Sequence, residues 1–231
     1  MKKFASFFAV FLFITLFAVA SEAGDRNIPV EVAQLTDSLK KQFAPDRRVA
    51  LLDVDYSFSD KNVMLRGVTT SAEAKNALLK ELARKGYAVM DCLELLPDVK
   101  GLEGKTCGII NVSVANMRVA PDFSSEMMTQ SLMGMPVRVL QRDGWVRIQT
   151  PDNYIAWVHR VGVHPVTEEE MAAWNKAEKI VVTAHYGFVY SEPNQTSQTV
   201  SDVVAGNRLK WEGSKGAFYK VTYPDGRRGY I

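Results

Sequence analysis

Two stretches of this 231-residue chain, 117–158 and 188–231, repeat one order of short apolar runs and turn residues. Each ends on an aromatic strand, a Pro-Asp turn at Pro151 or Pro224, and a final short strand with one aromatic residue. Short strands at even spacing, separated by Gly, Pro, Asn and Asp, predict small antiparallel barrels. The repeat therefore predicts two copies of one small β-barrel, a kind of module that usually binds or positions a partner.

The beginning of the chain has the three parts of a secretory signal. Lys2 and Lys3 precede an apolar run, and small residues at Ala18 and Ala20 offer a cleavage site. The run is too short, and its flanks are wrong, for a membrane anchor. We therefore expect residues 1–23 to be removed and the protein to be exported to the periplasm or cell envelope.

The charge balance argues against polyanionic partners. Cleavage after Ala20 would remove Lys2 and Lys3 and bring the formal net charge from +2 to 0, and no basic run follows. Nucleic-acid binding depends on clustered Lys and Arg. We expect no nucleic-acid partner, and an anionic membrane is unfavourable on the same ground.

Residues 24–98 predict an α+β module with the order helix, strand, strand, helix, strand. Apolar residues at three- and four-residue steps predict the helices, and alternation predicts the strands. This order resembles the BON domain of exported bacterial proteins, which implies contact with phospholipid or the envelope; a generic α/β spacer is the alternative. The predicted elements are helices at 28–43 and from Thr70, with Glu73 as capping partner, to Gly86, and strands at 52–58, 63–68 and 87–95.

The chain has two cysteines, Cys92 and Cys107. In an oxidising compartment a disulfide between them is the default expectation. A free catalytic cysteine is the alternative, but no base lies near either residue in the sequence. The Gly-rich and charged stretch 99–108 predicts a linker.

The predicted architecture after the linker is barrel, helix, barrel. The first barrel covers 109–166, the connecting helix 167–178 and the second barrel 179–231. Thr167 and Glu170 have the spacing of a capping box, and Trp174 lies on the apolar side of the helix. We expect this helix to pack the two barrels together, with a solvated linker helix as the alternative.

The amino-acid sequence of the first repeat resembles that of a known family. It closely resembles the bacterial SH3 domains that precede the NlpC/P60 cysteine peptidase domain of Bacteroides-type cell-wall enzymes similar to dipeptidyl-peptidase VI. The resemblance covers about 109–231 and includes the acidic helix. The residues that carry it are Asn116-Met117-Arg118, Pro121, Glu126-Met127-Met128-Thr129-Gln130, Leu132-Met133-Gly134, Pro136, Arg147-Ile148-Gln149-Thr150-Pro151-Asp152, Tyr154-Ile155-Ala156-Trp157-Val158 and Met171-Ala172-Ala173-Trp174.

The resemblance implies a γ-D-glutamyl-diamino acid endopeptidase acting on peptidoglycan stem peptides. In that family a catalytic domain with a Cys nucleophile and a His base follows the second barrel. Cys92 and Cys107 precede the barrels and lack the motif of that nucleophile, so we expect no catalytic residue here. The leading hypothesis is a non-catalytic part that recognises stem peptides or muropeptides and works with a peptidase domain in cis or in trans.

Two other hypotheses remain. One is an envelope scaffold that binds protein partners or, through its N-terminal module, the membrane. The other is a fragment of an active peptidase whose catalytic domain lies beyond Ile231. A barrel that stops at Ile231 would expose a strand edge, from which we expect self-association.

The resemblance also points to two ligand-binding residues. The first barrel of such enzymes helps select stem peptides with a free amine, a task that suits a carboxylate and a phenol. By resemblance these are Glu126 and Tyr154; the alternatives are a solvated turn acid and a loop aromatic packed on Trp157. His159 and His164 have no acid or cysteine at metal spacing, so we expect no metal, and no cofactor is implied.

Overall fold

The computed structural model describes residues 28–231, so the predicted signal segment lies outside the described residues. The described chain divides into one unit that ends at Leu95 and a second that comprises Leu96–Ile231. No helix within residues 28–231 is long and apolar enough to cross a membrane.

The first unit contains two helices and a three-stranded sheet in the predicted order. β1 and β2 form an antiparallel hairpin, and α2 carries the chain to β3, which lies parallel to β2. One face of each helix is buried against the sheet, as the apolar periodicity predicts. The elements are α1 Val30–Phe43, β1 Leu52–Ser59, β2 Asn62–Thr69, α2 Ala72–Arg84 and β3 Ala88–Leu95.

The start of α2 differs from the prediction by one residue. Ser71 is the N-cap, and its Oγ accepts a 3.0 Å hydrogen bond from the Ala74 N–H. The Thr70 hydroxyl instead accepts from the Leu51 N–H at 3.0 Å, because Thr70 follows the end of β2 beside the start of β1. Tertiary contact thus decides between two adjacent hydroxyl residues.

The second unit contains two sheets with matching strand orders. The first has the order β10-β4-β7-β8-β9-β5-β6, and the second β11-β14-β15-β16-β12-β13. The strands are β4 Cys107–Ile110, β5 Val114–Arg118, β6 Met127–Leu132, β7 Pro136–Asp143, β8 Trp145–Gln149, β9 Ile155–His159, β10 Val163–Val166, β11 Lys179–Val181, β12 Tyr186–Tyr190, β13 Thr199–Val204, β14 Arg208–Lys215, β15 Phe218–Thr222 and β16 Arg228–Tyr230. The predicted repeat therefore corresponds to two barrels that share a six-strand order, to which the first barrel adds β10 at one edge.

The segment expected to be a linker, 99–108, is instead part of the first barrel. Leu102 is buried in its core, and the Asp98 N–H donates to the Leu140 carbonyl at 2.9 Å. β4 pairs with β7 as β11 pairs with β14, so β4 is the counterpart of β11. Four residues are too few for alternation to reveal a strand, which is why the Gly-rich surroundings predict a linker.

The connecting helix, α3 Glu168–Lys176, has the predicted capping box between Thr167 and Glu170. Trp174 is buried, and its indole Nε1 donates a 3.2 Å hydrogen bond to the Gly134 carbonyl. Met133 is buried in the core of the second barrel although it belongs to the first repeat. The two barrels therefore share buried contacts, and α3 packs on the first barrel through Met171 and Trp174.

The expected disulfide is absent from the structure, since Cys92 and Cys107 are both free thiols in the described chain. Cys92 is exposed on β3 of the first unit. Cys107 lies on β4 of the second unit and packs partly buried beside Ile109 and Val166. Because the stretch before Cys107 packs on the first barrel, it does not form the reversing loop on which the pairing was predicted.

Candidate functional site

Three aromatic rings meet on the outer surface of the first barrel. The Phe123 ring lies 4.9 Å from the Trp145 ring and 5.1 Å from the His159 ring, measured between centroids. Trp145 and His159 are cross-strand partners on β8 and β9, with ring centroids 5.3 Å apart in an edge-on arrangement. Edge-on and tilted pairs at these distances are mutually stabilising. We call this set the aromatic cluster.

The loop 119–126 between β5 and β6 holds Phe123 in place. The Asp122 carboxylate accepts from both the N–H and the hydroxyl of Ser124 at 2.6 Å. The Ser125 hydroxyl accepts from the Ala120 N–H at 2.9 Å, and its carbonyl accepts from the Arg118 guanidinium at 2.6 Å. These bonds close a tight turn, so the Phe123 ring is presented on a preorganised loop.

Phe123 remains 67% exposed, although it belongs to the aromatic cluster. A large apolar side chain gains about 1.5–3 kcal/mol on full burial, and most of that gain is left unused here. An exposed ring on a rigid loop, beside a groove, is the surface on which a ligand can pack.

The aromatic cluster lines part of a groove of about 210 Å³, which we call the aromatic groove. Arg118 gives it cationic character, while within the described chain no Asp or Glu side chain lines it. The volume is below the roughly 300–1,000 Å³ of pockets for drug-sized ligands, so it suits a residue or two of a peptide. The groove is lined by Val112, Val114, Ala115, Asn116, Arg118, Phe123, Trp145, Val158, His159, Val161 and Gly162.

The Asp122 carboxylate beside the groove is committed to the loop. Hydrogen bonds from the Ser124 hydroxyl and N–H lower the pKa of Asp122, and the charge of Arg118 adds to the effect. Arg118 makes no ion pair with any residue of 28–231, since its one protein acceptor is a carbonyl. The guanidinium therefore keeps donors for a ligand.

The second barrel repeats the turn without the groove's side chains. Asn194 takes the place of Asp122 and accepts from the Thr196 N–H and hydroxyl, each at 3.0 Å. Gln195 stands at the position of Phe123. On the strand, Tyr190 replaces Arg118, since each residue pairs with the aromatic residue of the closing strand, Tyr230 or Trp157. The turn is common to both barrels, whereas the arginine belongs to the first.

The two predicted ligand-binding residues are not among those that line the aromatic groove. Glu126 is exposed at the end of the 119–126 loop, where its carbonyl accepts from the Val119 N–H at 3.1 Å. Tyr154 is half-buried just before β9, and its carbonyl accepts from the Thr150 N–H at 3.0 Å. Their role as ligand-binding residues stays a prediction.

Sequence reasoning considered His159 only as a metal ligand and did not single out Phe123 or Arg118. Within residues 28–231 no group of three or more His, Cys, Asp or Glu side chains is placed to hold a metal ion. A signal was present in the repeat itself. Phe123 opposite Gln195, and Arg118 opposite Tyr190, are positions at which two otherwise matching units differ in chemistry.

Comparison with protein families identifies two domains in this chain. Residues 117–161 match the bacterial dipeptidyl-peptidase Sh3 domain, and residues 185–231 match the bacterial SH3 domain. The chain thus contains two bacterial SH3 domains. Arg118, Phe123, Trp145 and His159 all fall within the first match. No curated protein matches the chain.

Solved structures similar to part of this chain include an NlpC/P60 family protein from Bacillus cereus, 20% identical, with a TM-score of 0.45 over 54% of this chain and 53% of that chain. NlpC2 from Trichomonas vaginalis is 16% identical, with a TM-score of 0.24 over 55% of this chain and 45% of that chain. NlpC1 from the same organism is 18% identical, with a TM-score of 0.24 over 55% and 43%. The chain spans about half the length of these proteins.

Proposed function

We propose that this protein is an exported accessory region of a peptidoglycan hydrolase, with a first SH3 domain that binds peptidoglycan stem peptides or muropeptides. One observation carries the proposal. The part of the chain that matches a dipeptidyl-peptidase Sh3 domain, 117–161, contributes the arginine and all three rings of the aromatic groove. The domain named for a peptidase is therefore also the one with a preorganised surface suited to a peptide.

The chemistry of the groove suits this ligand. Stem peptides are short, rich in small residues and bear several carboxylates. Rings such as Phe123 and Trp145 pack on small apolar groups, and the Arg118 guanidinium pairs with carboxylates. We propose that this domain recognises the stem peptide for a γ-D-glutamyl-diamino acid endopeptidase, which acts in cis or in trans.

Catalysis by the described residues has little physical support. A cysteine nucleophile acts as a thiolate, which requires a lowered pKa. Burial, together with the charge of Glu168, raises the pKa of Cys107. Cys92 lies on the exposed face of β3 in the first unit. We therefore assign binding and positioning, with hydrolysis left to a separate domain or protein.

Glu126 and Tyr154 extend the proposed site. A stem peptide with a free amine would place its ammonium near a carboxylate and a phenol. Glu126 belongs to the same loop as Phe123, so a peptide seated in the groove would pass close to that loop. Substitution of Glu126 by Gln should weaken binding of peptides with a free amine and leave N-acetylated peptides unaffected.

For the N-terminal unit we propose a BON-like role in contact with the envelope. The support is its element order of helix, strand, strand, helix, strand. Co-sedimentation with phospholipid vesicles tests it. Retention on vesicles together with no affinity for muropeptides would favour the envelope scaffold instead.

The primary test is binding of the purified chain to peptidoglycan sacculi and to muropeptides. We expect saturable binding with no release of peptide products. Phe123→Ala should weaken binding severalfold with only a small loss of stability, because its ring is mostly exposed. Gln195→Ala, at the same turn position of the second barrel, is the matched control and should bind like the parent. Hydrolysis by the pure protein, or no affinity for sacculi, would refute the proposal.

A further inference from the structure

We infer that the aromatic groove is specific for a peptide with a free C-terminal carboxylate, which Arg118 binds while a small apolar residue packs on Phe123 and Trp145. This inference rests on the proposed function and names the part of the ligand that the groove recognises. The occupant is one or two residues at a peptide's carboxyl end.

Charge is the first argument. Arg118 lines the groove, and no carboxylate in the described chain lines it. Arg118 donates one hydrogen bond to the Ser125 carbonyl and has no ion-pair partner among residues 28–231. The Asp122 carboxylate beside the groove interacts electrostatically with Arg118, but it accepts its hydrogen bonds from Ser124. The half-buried guanidinium therefore keeps donors with which an incoming carboxylate can form two parallel hydrogen bonds.

Geometry is the second argument. The Ser125 bond restrains the guanidinium on the loop that also carries Phe123, so the charge and the ring are fixed relative to each other. Asn116 on the same strand is restrained by a 2.8 Å bond from Gln130 to its Oδ1. A fixed cation, a side-chain amide and an aromatic wall within a groove of about 210 Å³ define a site for a chain end.

The repeat supplies the third argument. Val114, Asn116 and Arg118 of β5 correspond to Tyr186, Phe188 and Tyr190 of β12. The rings of the second set contact each other at 5.1 and 6.5 Å and carry no charge. The arginine is thus not needed to build the barrel, since the same position accepts a tyrosine. Its presence in the first barrel is explained by a ligand.

The experiment compares N-acetyl-D-alanyl-D-alanine with its C-terminal amide by isothermal titration against the purified chain. Acetylation removes the ammonium, so Glu126 and Tyr154 do not contribute. A charge-assisted pair predicts that the acid binds about tenfold or more tightly than the amide. Arg118→Gln should lower the affinity for the acid to that for the amide, and Arg118→Lys should retain part of the preference, with less geometric specificity.

The controls separate this inference from the proposed function. Tyr190→Ala alters the counterpart position and should leave the preference for the acid unchanged. Equal binding of acid and amide, no binding of either, or a preference that survives Arg118→Gln would overturn the inference. Sacculus binding that persists in that case leaves the proposed function standing. A clear acid preference without sacculus binding refutes the proposed function alone.

Discussion

The side-chain amide of Asn207 joins the two barrels, donating a 2.8 Å hydrogen bond to the backbone carbonyl of Ser113. Asn207 is fully buried, and its Oδ1 accepts from the Val204 N–H at 3.0 Å. The Ser113 hydroxyl donates to Asp202 at 2.7 Å in the same region. Buried polar contacts of this kind fix one docking geometry, because any shift leaves buried donors and acceptors unpaired.

Asn207→Ala should therefore destabilise the second unit by roughly 1–3 kcal/mol, since it leaves a part-buried carbonyl and a part-buried N–H without partners. Chemical denaturation measures the change. Asn175→Ala, on the exposed side of α3, is the control and should lie within about 0.5 kcal/mol of the parent. Equal effects of the two variants would show that the inter-barrel contact adds nothing.

Gly134 is a second point of close approach between the barrels. Its φ is +82°, and an added Cβ would lie 2.3 Å from the Arg208 carbonyl oxygen. Gly144 also has a positive φ, +65°, but nothing lies within 4 Å of its Cβ position.

Gly134→Ala should therefore cost several kcal/mol, at the extreme of single substitutions. Gly144→Ala should cost only about 1–2 kcal/mol from the left-handed backbone. The measurement is the difference between their free energies of unfolding. Similar losses in both would mean that the barrels move apart to accommodate the methyl group.

The interface also contains a carboxylate. Burial by itself would raise the pKa of Asp225, but hydrogen bonds from Asn111 at 2.9 Å and Arg227 at 2.7 Å lower it. A carboxylate whose pKa is lower in the folded state stabilises the protein above its unfolded pKa of about 4, and that contribution is lost as pH falls toward the folded value.

Asp225→Asn should therefore be destabilised relative to the parent at neutral pH, and the gap should close on acidification below about pH 4. Denaturation curves at several pH values check this. Asn111→Ala should give a smaller change of the same sign, because Arg227 remains. A constant gap between parent and Asp225→Asn over the whole range would contradict the assignment.

Thiol titration of the native protein distinguishes the two cysteines. Cys92 is exposed and should react rapidly with a thiol reagent, while Cys107 is partly buried, with a raised pKa, and should react slowly. In Cys92→Ser only the slow phase should remain, and in Cys107→Ser only the fast phase should remain. If no thiol reacts until a reductant is added, Cys92 and Cys107 form the disulfide that the sequence predicts, and the structure is wrong to leave them as free thiols.

Local patterns predicted the elements of this chain well. The helices follow from apolar periodicity and from hydroxyl caps, and Thr167 with Glu170 forms the capping box at the predicted place. The two barrels follow from the repeat. β4 was not predicted, because a four-residue strand is too short for an alternating pattern to show. Only its pairing with β7 shows that it is a strand.

Asp122 and Asn194 each close a turn by accepting a hydrogen bond from the backbone two residues later. Such bonds need no distant partner, so the sequence by itself determined that the two loops have the same shape. The aromatic groove was decided by the tertiary structure. Phe123 comes from a loop, and Trp145 and His159 come from two strands. Strand register, set by the whole barrel, brings those three rings within about 5 Å of one another.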